Sequence, residues 1–371
     1  GFIPFVSRTG DDVAVTARPP KDAPKAIVLD AAQGERLAAQ VGLYPLADRE
    51  NVTVVASALT GPGGATLPAS AIQVRRVRNF LKRAGSSRAG NLLPYILQDV
   101  MSLDLRPGVS RGLWLTISVP ESAAPGQYKG ALRVGATDIP VELTVHPFRL
   151  ERVDDITMSV TGSTAGSFNS RHPDLNDRWW QVAESVMKNQ AEHGMNAITG
   201  GPSAQLRGVK DGKADIDYSA MDRWMALAVK HGLTMPGDSY QGLDVSGVPQ
   251  NHSKDCVARC EAAAKDRFGV SYEELLRIVY GDVERHAKEK GWPKRVYYFL
   301  DEPRPEYRNV EPCAELIKMR TRACPDTLFS GYYSTGQGRD VYFETMPVSI
   351  AHVNRVALDL TAKAKKQLWD Y

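Results

Sequence analysis

The feature that most constrains this chain is a change of hydrophobic pattern near residues 146–155. Before it, apolar and polar residues alternate with a period of two, most clearly over residues 113–120, and that period is typical of half-buried β-strands. After it, strand-like runs alternate with helix-like runs, as they do in repeated β-α units. A chain of 371 residues that changes pattern in this way predicts two domains, residues 1–150 and 151–371.

The first domain is expected to be an antiparallel β-sandwich, because its strands are short, its turns are frequent and its helices are few. Residues 139–145 alternate as residues 113–120 do. Pro125 and Gly126 suit a type II turn. After that turn, a strand over residues 128–134 is expected to return beside residues 113–120.

The second domain is expected to be a (β/α)8 TIM-type barrel, because its strands and helices alternate. Ser271 and Glu274 form a capping box, and Gly291 ends the helix that they begin. Seven runs are predicted to be strands, namely residues 156–160, 195–199, 233–235, 295–300, 327–331, 348–353 and 367–371. A closed barrel has eight strands, so the barrel is expected to be incomplete at its C-terminus.

The active site of such a barrel lies at the C-terminal ends of its strands. Asp301 and Glu302 directly follow residues 296–300, a run that is expected to be buried on both sides. An unpaired charge there is costly, which favours a catalytic use of the two carboxylates. The alternative is a strand-end cap or an ion pair with Arg304 or Arg308.

The two acids share one pocket only if the strand kinks or ends between them, because successive strand side chains point to opposite faces. Pro303 favours such an ending, since proline cannot continue a ladder. Adjacent acids also disfavour each other's ionisation, so one of them is expected to stay protonated near neutral pH and to act as a general acid.

The other strand ends offer residues that suit a sugar. The apolar faces of a sugar ring stack on Trp or Tyr, and its hydroxyls bind acids, amides and His. The predicted substrate-binding residues are Asp238, Tyr240, Tyr332, Tyr333, His352 and Trp369. For Tyr333 and Trp369, packing at the barrel rim is an open alternative.

The composition argues against several other classes of function. The 46 Lys and Arg are dispersed among 43 Asp and Glu, which disfavours a nucleic-acid partner. No apolar run reaches the roughly 18 residues of a transmembrane helix. The four cysteines lack zinc-site spacing, and neither a phosphate loop nor a His-Glu-x-x-His motif is present, so we expect no metal and no other cofactor.

The cysteine count and the first residue leave the compartment open. Four cysteines fit either two disulfides or four thiols. Because the chain opens with Gly1 and not Met, a natural start is expected upstream, where an export signal would make the protein secreted or periplasmic. Nothing in the sequence indicates an oligomeric state.

Several short motifs, read together, point to a known family. They are Gly34-Glu35-Arg36 with Gly42-Leu43-Tyr44-Pro45-Leu46, residues 113–120 with Pro125-Gly126-Gln127-Tyr128-Lys129-Gly130, and Leu300-Asp301-Glu302-Pro303. Over most of the chain these motifs resemble glycoside hydrolase family 123. The resemblance implies a β-sandwich before a barrel, and release of β-linked N-acetylgalactosamine.

The resemblance also implies a role for each acid. Glu302 would be the general acid and base. Asp301 would orient the 2-acetamido group of the substrate, whose carbonyl oxygen attacks the anomeric carbon in place of a protein nucleophile. Tyr332 or Tyr333 would contact that acetamido oxygen.

Two alternatives remain at this point. The first is a conventional retaining glycosidase with Glu302 as acid and base and Asp370 as nucleophile, which would accept substrates without an acetamido group. The second is a carbohydrate-binding protein of the same architecture that has no hydrolytic activity.

Overall fold

A computed structural model describes residues 1–7, 13–83, 90–151, 156–160, 178–239, 254–300, 310–332, 348–351 and 367–370. The chain divides into two compact units, Gly1–Arg152 and Val153–Tyr371. We call them the N-terminal unit and the C-terminal unit.

The N-terminal unit is built from β-strands. They are β1 (Phe2–Ser7), β2 (Ile27–Gln33), β3 (Arg36–Pro45), β4 (Arg49–Ala56), β5 (Leu59–Thr60), β6 (Thr66–Leu67), β7 (Ile72–Arg83), β8 (Gly90–Asp99), β9 (Ser102–Leu105), β10 (Arg111–Ser118), β11 (Gly126–Val134) and β12 (Thr137–Arg149), with 3-10 turns at Pro62–Gly64 and Ala69–Ala71. One sheet has the order β1-β3-β10-β7-β8, and the other follows β2-β12-β11-β4-β9, with β5 attached to β11 and β6 attached to β5.

The alternating pattern in this unit places every second side chain in one core. Leu113, Leu115 and Ile117 of β10 are fully buried, and so are alternate residues of β12 such as Val141 and Leu143. Burial of this kind contributes about 2 kcal/mol for each large aliphatic side chain. The period of two therefore identified the core face correctly.

The pairing of the strands differs from the prediction in two ways. β2 runs parallel to β12, so the sheet is mixed and the expected purely antiparallel sandwich is wrong. β11 does not return beside β10 either, because β10 pairs with β3 and β7, whereas β11 pairs with β12, β4 and β5. A local turn signal specifies a change of direction but not the sheet that the next strand joins.

The C-terminal unit contains α1 (Trp179–Glu192), β13 (Gln205–Lys210), β14 (Lys213–Asp217), α2 (Ser219–Lys230), β15 (Gly237–Ser239), α3 (Cys256–Phe268), α4 (Tyr272–Lys290), β16 (Arg295–Leu300), α5 (Val310–Ala323), β17 (Leu328–Tyr332), β18 (Val348–Ala351) and β19 (Gln367–Asp370). β13 and β14 form an antiparallel hairpin. β15 to β19 form a parallel sheet in chain order. Within the described residues, no helix has both the length and the apolarity to span a bilayer.

The predicted (β/α)8 barrel is wrong. In the part of the chain that the structure describes, the parallel sheet has five strands and an open order that ends at β15 and β19. A barrel needs an unbroken ladder of main-chain hydrogen bonds around its circumference. Three of the predicted strands, residues 156–160, 195–199 and 233–235, lie outside this ladder.

Hydrogen bonds of both the side chain and the main chain of Asn196 hold those segments together without forming a ladder. The buried Asn196 side chain accepts from the Met158 N–H at 2.7 Å and donates to the Ile156 carbonyl at 2.8 Å. Its main-chain carbonyl accepts from the Met235 N–H at 2.9 Å. A pattern of hydrophobic periodicity cannot distinguish such a segment from a paired strand.

The helix ends follow the sequence signals closely. The Ser271 side chain accepts from the Glu274 N–H at 3.2 Å, as the capping box predicts. Gly269 and Gly291 take the left-handed conformation that ends α3 and α4, with φ of 71° and 66°. Cys256, Cys260 and Cys324 are buried and are not joined by disulfides.

Candidate functional site

The carboxyl edge of the parallel sheet is the place where the sequence predicts the active site. β15 to β19 lie side by side and run in the same direction, so their C-terminal ends share one edge. Loops beyond such an edge carry the ligand-binding residues of open α/β sheets. β16 ends at Leu300, and Asp301 and Glu302 follow it in the chain but lie outside the described residues.

β16 is a central strand that is buried on both faces. The consecutive residues Val296 and Tyr297 are both fully buried. The Tyr280 ring of α4 meets the rings of Tyr297 and Phe329 edge to face, with 5.2 Å between centroids in each pair. The strand that leads to the two acids is therefore held rigidly from behind.

A β-bulge interrupts β16 just before its end. Tyr298 is opposite Ser330 on β17, but the next paired residue, Leu300, is opposite Gly331, so Phe299 is an extra residue. A bulge bends the strand and changes which face the following residues point to. The bulge lies two residues before Asp301, so it redirects the end of the strand ahead of both acids and is not itself the break between them.

The register of the sheet aligns two of the predicted aromatic positions. Tyr332 on β17 pairs with Ile350 on β18, and Ile350 pairs with Trp369 on β19. Tyr332 and Trp369 thus occupy one row, with a single strand between them, or roughly 10 Å of backbone separation. Asp370 lies one row further on, opposite Ala351.

Of the remaining predicted site residues, only Asp238 has a described backbone. Asp238 pairs with Val296, which pairs with Leu328, so the ladder places Asp238 four positions before the row of Tyr332. Its backbone is described and its side chain is not. Tyr240, Tyr333 and His352 lie outside the described residues, as do Asp301 and Glu302.

Behind the sheet, a buried arginine connects two helices to β17. Arg320 of α5 donates to the Tyr272 hydroxyl at 2.9 Å, and its guanidinium lies 5.7 Å from the centre of the Phe329 ring. Burial raises the pKa of Tyr272 to about 12 and raises that of Tyr297 further, so both phenols stay neutral. These groups position the sheet and do not supply protons at its edge.

Sequence reasoning missed the residues that position β15. Gly237 approaches the neighbouring segment so closely that a Cβ atom would lie 2.0 Å from the Ile198 carbonyl oxygen. The buried Arg295 at the start of β16 donates to the Gly200 carbonyl at 3.2 Å. The glycine next to Asp238 was the available signal, because glycine in a strand marks a close approach of backbones. Arg295 carried no signal, since arginine is rarely buried.

A metal site is not formed by the described residues, among which no group of three or more His, Cys, Asp or Glu side chains could hold an ion.

Comparison with protein families identifies the domain that contains this edge. Residues 171–371 match the glycoside hydrolase 123 catalytic domain. The chain belongs to glycoside hydrolase family 123. Residues 15–136 match the N-terminal domain of the same family, and the protein is accordingly a glycoside hydrolase. The resemblance inferred from the short motifs is confirmed.

One solved structure of a family 123 enzyme is similar in fold to this chain. A family 123 glycoside hydrolase from Clostridium perfringens, described for hydrolysis of glycolipid glycans, matches with a TM-score of 0.70 and 15% identity, over 100% of this chain and 72% of that one. At that identity the match supports the fold alone. No curated protein sequence matches the chain.

Two other glycosidases match more weakly. A β-galacturonidase from Eisenbergiella tayi has a TM-score of 0.26 and 9% identity, over 90% of this chain and 52% of that one. A β-glucuronidase from an uncultured Clostridium sp. has a TM-score of 0.31 and 10% identity, over 89% and 50%. Neither similarity is strong enough to support an argument.

Proposed function

We propose that this family 123 enzyme releases β-linked N-acetylhexosamine, above all N-acetylgalactosamine, with the substrate's own acetamido group as nucleophile. The observation that carries the proposal is the bulge at Phe299, which precedes the adjacent acids Asp301 and Glu302 on a strand that is buried on both faces. A bulge next to an active site commonly redirects the end of the strand that leads to it, and Pro303 favours an ending of the strand at the pair itself.

In the proposed reaction, Glu302 donates a proton to the glycosidic oxygen. The acetamido carbonyl oxygen bonds to the anomeric carbon while the bond to the leaving oxygen breaks, and Asp301 orients the acetamido group and accepts a hydrogen bond from its N–H. Water then attacks the anomeric carbon, Glu302 takes the proton of that water, and the acetamido group is restored. Two inversions leave the configuration of the sugar unchanged.

The aromatic row fits the same proposal. Tyr332, or Tyr333 beyond it, would donate to the acetamido oxygen, and Trp369 would stack on the sugar ring. Tyr332 and Trp369 share a row, which supports a common binding surface. Asp238, Tyr240 and His352 are proposed to bind sugar hydroxyls.

Substitution of each acid separates the two roles. We expect Glu302→Gln to slow hydrolysis of an alkyl N-acetylgalactosaminide by roughly 10²–10⁴-fold. It should slow a nitrophenyl glycoside much less, because that leaving group needs little protonation. Asp301→Asn should slow both substrates, since orientation of the acetamido group is needed for each. The matched control is Glu311→Gln on α5, at an exposed position, which should leave both rates unchanged.

A substrate panel then tests the nucleophile. Galactosides without the acetamido group should not be cleaved, and an N-acetylgalactosamine-derived thiazoline should inhibit, because it mimics the cyclised intermediate. The panel should include a glycolipid-borne glycan, the substrate class named for the Clostridium perfringens relative. Equal cleavage of a plain galactoside, abolished by Asp370→Asn, would instead assign the nucleophile to β19.

A further inference from the structure

The hairpin of β7 and β8 projects from the N-terminal unit with apolar side chains exposed. β10 pairs with β7 only through Ile72–Val77, whereas β7 and β8 continue to pair as far as Arg83 and Gly90. Beyond Val77 the hairpin is therefore a two-stranded ribbon, and β8 is the edge of its sheet. Such a ribbon is only marginally stable on its own in water.

This ribbon is apolar on both of its faces. Phe80 is directly opposite Leu93, and Leu81 is directly opposite Leu92. Opposed residues share a face and successive residues alternate, so each pair covers one side. Leu81 is 73% exposed and Leu92 44% exposed, and Ile96 is also exposed. An apolar patch of this kind on a folded protein indicates an interaction surface.

Apart from Asp99 at its base, the same hairpin carries only positive charge. Residues 72–98 contain no Asp or Glu, although the chain as a whole is nearly balanced at +3. The basic residues of this stretch are Arg75, Arg76, Arg78, Lys82, Arg83 and Arg88. A second copy of the chain would bring like charges together at this edge, which disfavours self-association through it.

An arginine-lined cavity of about 580 Å³ lies at the base of the hairpin. Arg76, Arg78 and Arg111 line it together with Asp104, whose side chain already accepts from the Asn51 N–H at 2.9 Å. The Arg76 guanidinium is bound to Gln98. Within the described part of the chain, Arg78 and Arg111 form no ion pair.

A buried acceptor completes the polar side of the cavity. Asn79 also lines it, and its Oδ1 atom is buried and has no hydrogen-bond partner among the residues that the structure describes. A buried polar atom without a partner is costly. The cavity thus offers two arginines and one amide to a ligand that carries acceptor oxygens and a donor.

We propose that the β7–β8 hairpin docks the protein on an anionic lipid surface. The exposed Leu and Phe side chains enter the interface of the bilayer, and the arginine-lined cavity receives an anionic headgroup. A nucleic acid would leave the leucines unused, and a neutral glycan would leave the arginines unused. An anionic bilayer satisfies both groups, since it combines an apolar interior with surface phosphates. The inference does not depend on which sugar the enzyme cleaves.

Flotation of the full-length protein with vesicles tests this proposal. The protein should float with phosphatidylcholine vesicles that contain phosphatidylglycerol, should not float with phosphatidylcholine alone, and should be released by added salt. Failure of the native protein to float with the anionic vesicles at low salt would overturn the proposal without any variant being needed.

Matched variants locate the surface. Leu81→Ser with Leu92→Ser should weaken binding on the order of tenfold, and Arg78→Gln with Arg111→Gln by about 30-fold. The controls are Val28→Ser, an exposed valine of β2, and Arg18→Gln, an exposed arginine outside the cavity. Both controls should bind as the native protein does, and all variants should keep its thermal midpoint and its rate on a soluble glycoside.

Two results would contradict the assignment. Unchanged binding of both hairpin variants would place the lipid contact elsewhere. A native dimer that Leu81→Ser with Leu92→Ser converts to a monomer would mean that the hairpin contacts a second copy.

A loss of hydrolysis on soluble substrate in the Glu302 variant, with flotation intact, would separate the catalytic proposal from this one.

Discussion

At the scale of single residues, Gly237 sets the position of β15 and therefore of Asp238. We expect Gly237→Ala to lower the free energy of unfolding by about 2 kcal/mol, because the new methyl group would overlap the Ile198 carbonyl and force backbone movement. Denaturant unfolding measures this change. The same variant should raise KM if Asp238 binds substrate.

A second glycine provides the control for this prediction. Gly281 lies within α4, and a Cβ atom there would meet nothing within 4 Å. Gly281→Ala should raise the free energy of unfolding by roughly 0.5–1 kcal/mol, since alanine favours the helix. Equal effects of the two substitutions would mean that the close approach at Gly237 is not a constraint.

Individual residues were predictable where the signal is local. The Ser271 cap and the helix end at Gly291 depend on neighbours within four residues, and the structure places them as expected. Asn196 and Arg295 act across the fold on segments that are distant in the chain, and nothing beside them in the sequence indicates this. The two acids stay a prediction, which was made because a charged pair after an apolar strand is unusual in itself.

At the scale of elements, helix α4 carries an acid, Glu284, whose pKa is raised in the native state. Burial raises the pKa of Glu284, while a hydrogen bond from Thr327 and the nearby charge of Lys294 lower it in part. The native state therefore holds the proton more tightly than the unfolded chain. It follows that the free energy of unfolding falls as the pH rises from the ordinary value of 4.5 through the raised native pKa.

Glu284→Gln should remove this dependence, because the amide stays neutral. The variant should gain stability relative to the native protein as the pH rises above 4.5, as measured by denaturant unfolding at a series of pH values. A constant difference between Glu284→Gln and the native protein would contradict the raised pKa.

Most elements near the site were predictable, and their irregularities were not. β16 has the bounds that the buried apolar run predicts, and β17, β18 and β19 differ by one or two residues. The bulge at Phe299 depends on how β16 pairs with β17, and pairing is a property of two strands. The exposure of the β7–β8 ribbon was not predictable for the same reason, because its apolar residues alternate as those of a buried strand do.

At the scale of the whole molecule, the two units have separate cores. The buried residues of one cluster belong to the N-terminal unit, and those of the other belong to the C-terminal unit. We therefore propose that each unit unfolds cooperatively as a unit. Leu115→Ala should destabilise only the N-terminal unit, and Leu275→Ala only the C-terminal one, each by about 3 kcal/mol.

Calorimetry of the full-length variants measures this. Each substitution should lower the temperature of one of two transitions. If both variants instead lower the temperature of a single transition, the units unfold together.

The family was predictable from the sequence, but the closure of the second domain was not. Alternating strands and helices specify a parallel sheet with covering helices, and that much is present. Whether such a sheet closes depends on the pairing of its first and last strands, which lie far apart in the chain. The segments before β15 are joined by the Asn196 amide. They were predicted as strands because their apolar runs resemble those of strands.

Burial of Cys260 and Cys324 lowers the chemical reactivity of these two thiols in the C-terminal unit. Burial raises the pKa of Cys260 to about 11 and that of Cys324 to about 12, and the Cys324 thiol is further engaged with the Leu276 carbonyl at 3.4 Å. At neutral pH only about one in ten thousand of the Cys260 groups would be ionised even if it were reachable. Oxidants and alkylating agents attack the ionised form, so the sulfurs of Cys260 and Cys324 are protected while the fold persists.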